Sequence, residues 1–135
     1  MSANVRRLVP DLELNAAGSR DALDRVASQL EVRLPADYVE FMVSANGGEG
    51  PVGEASYLVL WPAEELASAN EGYGVAEFAP GLVLFGSDGG DTAYAFDTRS
   101  DREAAIMEVP FVGMSVEEAT PIGDTLADLL RHVRD

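Results

Sequence analysis

Leu34-Pro35-Ala36-Asp37-Tyr38-Val39-Glu40-Phe41-Met42-Val43-Ser44-Ala45-Asn46-Gly47-Gly48 is the stretch on which the fold turns. Pro35 presets φ for a first helical turn, where its missing N–H costs nothing. Tyr38, Phe41, Met42 and Ala45 recur at i, i+3, i+4 and i+7, which makes one apolar stripe. Asn46-Gly47-Gly48 then closes the helix, because Asn and Gly tolerate the left-handed backbone that ends one. The spacing predicts a capped amphipathic helix of about ten residues. It holds no catalytic constellation.

Upstream, Ser19 is a good N-cap for a helix whose stripe is Leu23, Val26, Ala27 and Leu30. Downstream, the glycines and Pro51 between Gly47 and Gly53 read as a loop. Tyr57 to Trp61 is apolar and aromatic enough for a strand, stopped by Pro62, and Ala63 to Ala69 reads as a short helix. Asn70 to Pro80, with Gly72, Gly74 and Pro80, reads as an irregular surface segment. Leu82 to Phe85 and Thr92 to Phe96 are strands joined by a glycine- and aspartate-rich hairpin. Ala105 to Val112 is another strand, weakened at Pro110, which points to an edge or a strand end. Asp124 is the expected cap of a last helix striped by Leu126, Leu129, Leu130 and Val133. Two helices, then strands, then a closing helix is an α+β pattern rather than repeated βαβ units. The expectation is a mostly antiparallel sheet of four to six strands with helices packed on one face.

Composition narrows the function classes. The 135 residues, 47% of them apolar, suit one domain spanning 1–135 with an ordinary core. There is no cysteine, so neither a disulfide framework nor a thiolate metal site exists. Met1 to Pro10 has no apolar run of signal-peptide length, and no window approaches a membrane span. A cytoplasmic protein is expected. Twenty-four acids against nine bases give a formal charge of −15. All the bases are arginine, and none lies between Leu34 and Thr98, a stretch with eleven acids. Such a field repels nucleic acid and anionic lipid and speeds encounter with a basic protein.

Catalytic and metal chemistry finds little support. Asp88 and Asp91 flank flexible glycines, but their spacing lacks the alternating acids and distal Glu of an EF-hand, so a plain hairpin is preferred. Gly86-Ser87-Asp88-Gly89 is not the G-x-S-x-G elbow. The single histidine, His132, sits where it complements the negative end of the last helix. Glu64 and Glu65 suit a helix N-terminus, and without lysine there is no P-loop. Trp61 reads as a core or core-rim residue rather than an interface anchor. No metal and no cofactor is expected, and the chain is read as no enzyme.

Several of these residues also carry a resemblance. Leu34-Pro35, Tyr38, Phe41 and Asn46-Gly47-Gly48 resemble the signature helix of the SUKH superfamily, which includes the fungal cell-wall-synthesis regulators of the Smi/Knr type. Leu60-Trp61-Pro62 followed by Glu64-Glu65-Leu66 is similar to its strand-then-helix step. Gly86 to Asp91, running into Ala93 to Asp97, is similar to its glycine hairpin. The resemblance covers about 19–133 and leaves 1–18 as an N-terminal extension. Thr98-Arg99-Ser100-Asp101 departs from the further polar residues that many members place there. The resemblance implies the SUKH (Smi/Knr-like) fold and a protein-binding role. Bacterial members are regarded as immunity proteins against polymorphic toxins, often nucleases or deaminases. The expected partner is therefore a basic toxin domain, met by Glu49, Glu54, Glu71, Glu77, Asp88 and Asp91. The alternative is a regulatory or scaffolding protein of the Smi/Knr type with no toxin partner.

Overall fold

The computed structural model describes residues 10–53, 56–99 and 105–134. Seven strands run β1 (Glu13–Leu14), β2 (Gly48–Val52), β3 (Ser56–Leu60), β4 (Leu82–Ser87), β5 (Thr92–Asp97), β6 (Ala105–Pro110) and β7 (Thr120–Gly123). They form one sheet in chain order, every neighbouring pair antiparallel. The α+β class and the antiparallel sheet agree with the sequence reading. The strand count of four to six does not.

The added strands have physical reasons. Gly47 to Gly53 is mostly strand rather than loop, because its glycines let two backbones approach closely. A Cβ on Gly48 would stand 2.5 Å from the Glu13 carbonyl oxygen, and one on Gly50 would stand 3.0 Å from that of Asp11. β1 and β7 have two and four residues, too few for periodicity to register.

Five helices accompany the sheet: α1 (Arg20–Leu30), α2 (Ala36–Ser44), α3 (Ala63–Gly72), α4 (Val75–Phe78) and α5 (Leu126–Arg134). Ser19 caps α1 as expected, its hydroxyl accepting from the Ala22 N–H at 3.0 Å. Leu23 and Val26 of α1, Tyr38, Phe41 and Met42 of α2, and Leu126, Leu129, Leu130 and Val133 of α5 are buried in one cluster. On the sheet side that cluster contains Val52, Leu58, Leu60, Phe85, Tyr94, Phe96 and Ile106. Tyr38 sits edge-on to Phe85 at 5.5 Å and to Phe96 at 4.9 Å, and those two rings stack at 4.1 Å. A bulge between Leu84 and Gly86 makes this packing possible, because it gives Tyr94 two residues to face, Phe85 and Gly86. Gly86 is required there: a Cβ would lie 2.4 Å from the Val59 carbonyl oxygen.

The opposite sheet face, the outer face hereafter, has a second core. Val75 and Ala79 cover Leu82, Leu84, Ala93, Ala95, Met107 and Val109, with Met114 beside them. The expected irregular segment Asn70 to Pro80 is thus the end of α3 plus α4, ordered by the apolar face it covers. Asn70 is buried because β3 pairs with β4 only at Gly86 and Ser87. Beyond them the Asn70 amide stands in for the missing strand: its Oδ1 accepts from the Leu84 N–H at 2.8 Å and its Nδ2 donates to the Leu84 carbonyl at 3.0 Å. The last helix is capped by Thr125 rather than Asp124. Thr125 Oγ1 accepts from the Asp128 N–H, and Asp128 Oδ2 accepts from the Thr125 N–H. Asp37 of α2 accepts from the Leu126 N–H at 2.8 Å, which joins α2 to α5.

Two outcomes are expected in denaturant unfolding. Asn70→Ala strands a buried donor and acceptor and should cost about 2–4 kcal/mol. The Tyr38 hydroxyl is fully buried without a hydrogen-bond partner. Tyr38→Phe should therefore leave stability unchanged or raise it by up to about 1 kcal/mol; a comparable loss would contradict that burial.

Candidate functional site

The signature helix ends in a knot of hydrogen bonds rather than in a simple left-handed cap. α2 stops at Ser44, Ala45 is extended, and only Gly47 has a positive φ, 82°. Asn46 works through its side chain. Its Oδ1 accepts from the Ala63 N–H at 2.9 Å, capping the start of α3, and its Nδ2 donates to Glu64 at 2.8 Å. The Asn46 N–H donates to the Ala16 carbonyl, and the Asn46 carbonyl accepts from Asn15 Nδ2. Gly47 fits because a Cβ would stand 2.3 Å from the Leu60 carbonyl oxygen. Leu34 packs at the rim of the helix-side core, and Pro35 is buried as the residue before α2. These motif residues build the scaffold.

The outer face over β1 to β3 carries the charge. Glu13 stands directly opposite Glu49 across the strand pair. The Tyr57 hydroxyl donates to Glu49 at 2.9 Å. Its pKa is raised, chiefly by that bond, then by burial and by the charges of Glu49 and Glu13. The β4–β5 turn lies against the same tyrosine, since a Cβ on Gly89 would meet the Tyr57 ring at 3.0 Å. Asp88 shapes the turn, accepting from the Gly90 and Thr92 N–H groups, and Ser87 Oγ accepts from Gly89. Tyr94 beneath has its pKa pushed up to about 12, first by burial and then by Asp88 and Glu108.

The structure therefore gathers Glu49, Asp88 and Asp91 at one end of the sheet. It does not bring Glu71 and Glu77 to them. Glu71 lines a depression with Gly81, Leu82 and Thr98, at the end of β4 opposite to the Asp88 turn. Glu77 is exposed on α4, which follows Glu71 in the chain. Glu54 lies outside the described residues. Among the described residues, none of these carboxylates has a cation within ion-pair distance. The ion pairs there are Arg99–Asp97 at 2.8 Å, Arg131–Asp128 at 3.4 Å and His132–Glu108 at 3.5 Å. His132 of the last helix thus reaches across to Glu108 on β6. Asp97 closes the open end of the hairpin with Arg99, whose stem lies over Gly81.

Beside the acidic end runs a row of aromatic rings that the sequence reading did not assemble. Trp61 and Tyr73 lie nearly parallel with centroids 6.3 Å apart, and Tyr73 meets Phe111 at 4.8 Å. The Phe111 N–H donates to the Asp91 carbonyl, so the row adjoins the turn. Trp61 and Phe111 pack on the second core as rim residues, whereas Tyr73 is 47% exposed and Val112 86% exposed. Trp61 carried a sequence signal, whereas Tyr73 falls in the stretch read as irregular, and Phe111, read within the 105–112 strand, lies just past the strand's actual end at Pro110.

Among the described residues no cluster of His, Asp and Glu is arranged to hold a metal ion, and no helix is long and apolar enough to cross a membrane. The meander, the Asn-Gly-Gly knot and the glycine turn define an α+β domain of the SUKH kind. Residues 18–132 match the SMI1 / KNR4 family (SUKH-1), and the chain belongs to that family. No curated protein matches it.

Acid titration offers a check on the electrostatics. The guanidinium of Arg99 holds the Asp97 carboxyl below the usual range, Asn46 does so for Glu64, and the Asp124 and Thr125 backbone and hydroxyl groups do so for Asp128. Lowered folded-state values add stability that is complete above the ordinary carboxylate range, about 3.9–4.3, and is lost as pH falls through the folded values. The stability gap between wild type and Asp97→Asn should be constant above about pH 5 and shrink as pH falls below the ordinary carboxylate range.

Proposed function

We propose that this protein is a non-catalytic protein-binding module, an immunity protein that neutralises a basic toxin by covering its active cleft. The observation that carries the reading is the charge of the outer face, unpaired with any cation among the described residues, where Glu13 opposes Glu49 beside the Asp88–Asp91 turn. Like charges directly across a strand pair are destabilising, and an opposing basic surface relieves that repulsion. Toxins that act on nucleic acid need a basic cleft to hold phosphates, so one field serves both recognition and inhibition. Membership of the family supports a binding role, and bacterial members of the family are regarded as immunity proteins. The cytoplasm is where such a protein protects the cell that makes it.

The test is titration calorimetry and stopped-flow binding against any basic toxin domain found encoded beside this gene. Association should slow about tenfold between roughly 50 and 200 mM salt, as screening shortens. Glu49→Gln combined with Asp91→Asn should slow association several-fold with little change in dissociation, whereas Glu77→Gln, at the far end, should change it less than about twofold. Salt-independent association would remove the electrostatic basis. Lack of any encoded toxin partner would favour the regulatory or scaffolding alternative.

A further inference from the structure

Trp61, Glu65, Ser68, Ala69 and Tyr73 enclose an open depression of about 320 Å³ on the outer surface. It lies at the bottom of the range for cofactor and substrate pockets and is shallow, so it suits a single side chain. Its walls are chemically specific. The Trp61 and Tyr73 rings are inclined by only 15° to one another, and Tyr73 is nearly half exposed. Glu65, on the first turn of α3, is exposed in the same depression, and among the described residues it has no ion-pair partner. The row continues through Phe111 to Asp91, so the depression is continuous with the acidic end.

Aromatic faces attract cations through their quadrupole, and a carboxylate beside them supplies the charge-assisted hydrogen bonds. A guanidinium satisfies both at once, because it is planar enough to lie on a ring and presents its N–H groups in the same plane; an ammonium has no flat face to stack. We propose that this depression is the anchor point of the docking surface and takes an arginine side chain of the basic partner protein. The inference rests on the reading of the outer face as a protein-docking surface and adds the residue type that the surface selects. Arginine and tryptophan are the residue types that most often dominate interface energetics, and here they would meet.

The chain has one tryptophan, so its indole N–H gives a single resonance for this spot. The full-length protein is titrated at low salt with the capped peptide Gly-Arg-Gly and with its citrulline and lysine counterparts, following that resonance by two-dimensional NMR. Saturable movement is expected with the arginine peptide, at half-saturation on the order of millimolar, and at least fivefold weaker with the other two. Glu65→Gln should weaken binding about three- to tenfold and Tyr73→Ala should abolish it, while Asp88→Asn stays within about twofold. Both altered side chains are exposed, and retained amide dispersion shows that each variant is folded.

Equal shifts with the citrulline or lysine peptide, or indifference to both variants, would overturn the proposal. So would a concentration-dependent indole shift that accompanies dimerisation, since a second copy would then fill the depression. If a basic toxin binds Tyr73→Ala and Glu65→Gln as tightly as wild type, the docking reading stands and the arginine anchor falls. If the peptide behaves as expected but no toxin binds, the anchor stands and the toxin reading falls.

Discussion

The side chain of Asn46 holds together parts of the molecule that contribute little stability separately. One amide caps α3 and fixes Glu64, while the backbone on either side is tied to Asn15 and Ala16. α2 therefore ends where β1 has just ended and where α3 starts. Gly47 beside it tolerates no Cβ, because the Leu60 carbonyl fills the space. Replacing Asn46 by an apolar residue would leave the α3 N-terminus uncapped and Glu64 without its amide partner, while the backbone bonds to Asn15 and Ala16 remain. The placement of β1 against β2, and with it the Glu13–Glu49 opposition, follows from this junction.

The sheet is sandwiched unequally. Four helices, α1, α2, α3 and α5, bury side chains on one face, and one short helix covers part of the other. Ala93 and Ala95 on the outer side leave room for backbone to approach, which is why a four-residue helix is enough there. The outer face remains open over β1 to β3. That uncovered part holds Glu13 and Glu49, and Trp61, Tyr73 and Phe111 form its border with the covered part. Its chemistry follows from where the apolar cover stops.

The helices and the central strands were legible from periodicity. Tyr38, Phe41, Met42 and Ala45 are buried as the stripe requires, and so are Leu126, Leu129, Leu130 and Val133. Pro110 does end its strand, although β7 continues the sheet beyond it. Glycine misled where close approach rather than turning was its role, as at Gly48 and Gly50. Asn70 looked like a surface residue because nothing local marks an amide that will complete a strand 14 positions later. The acids were countable but not placeable. Glu49 and Asp88 meet at Tyr57 through strand register and a hairpin, whereas Glu71 is sent to the other end of β4, and no short-range pattern encodes either outcome.

The two borders of the sheet also limit how anything can be recognised. One outermost strand has only two residues, and the other includes Pro121, which has no N–H to donate. Neither offers a ladder long enough for a visiting peptide to join by main-chain pairing, the mode known as β-augmentation. The same bluntness discourages copies of the chain from fusing edge to edge into fibrils. Any contact made at these two borders is therefore left to side chains rather than to the backbone ladder.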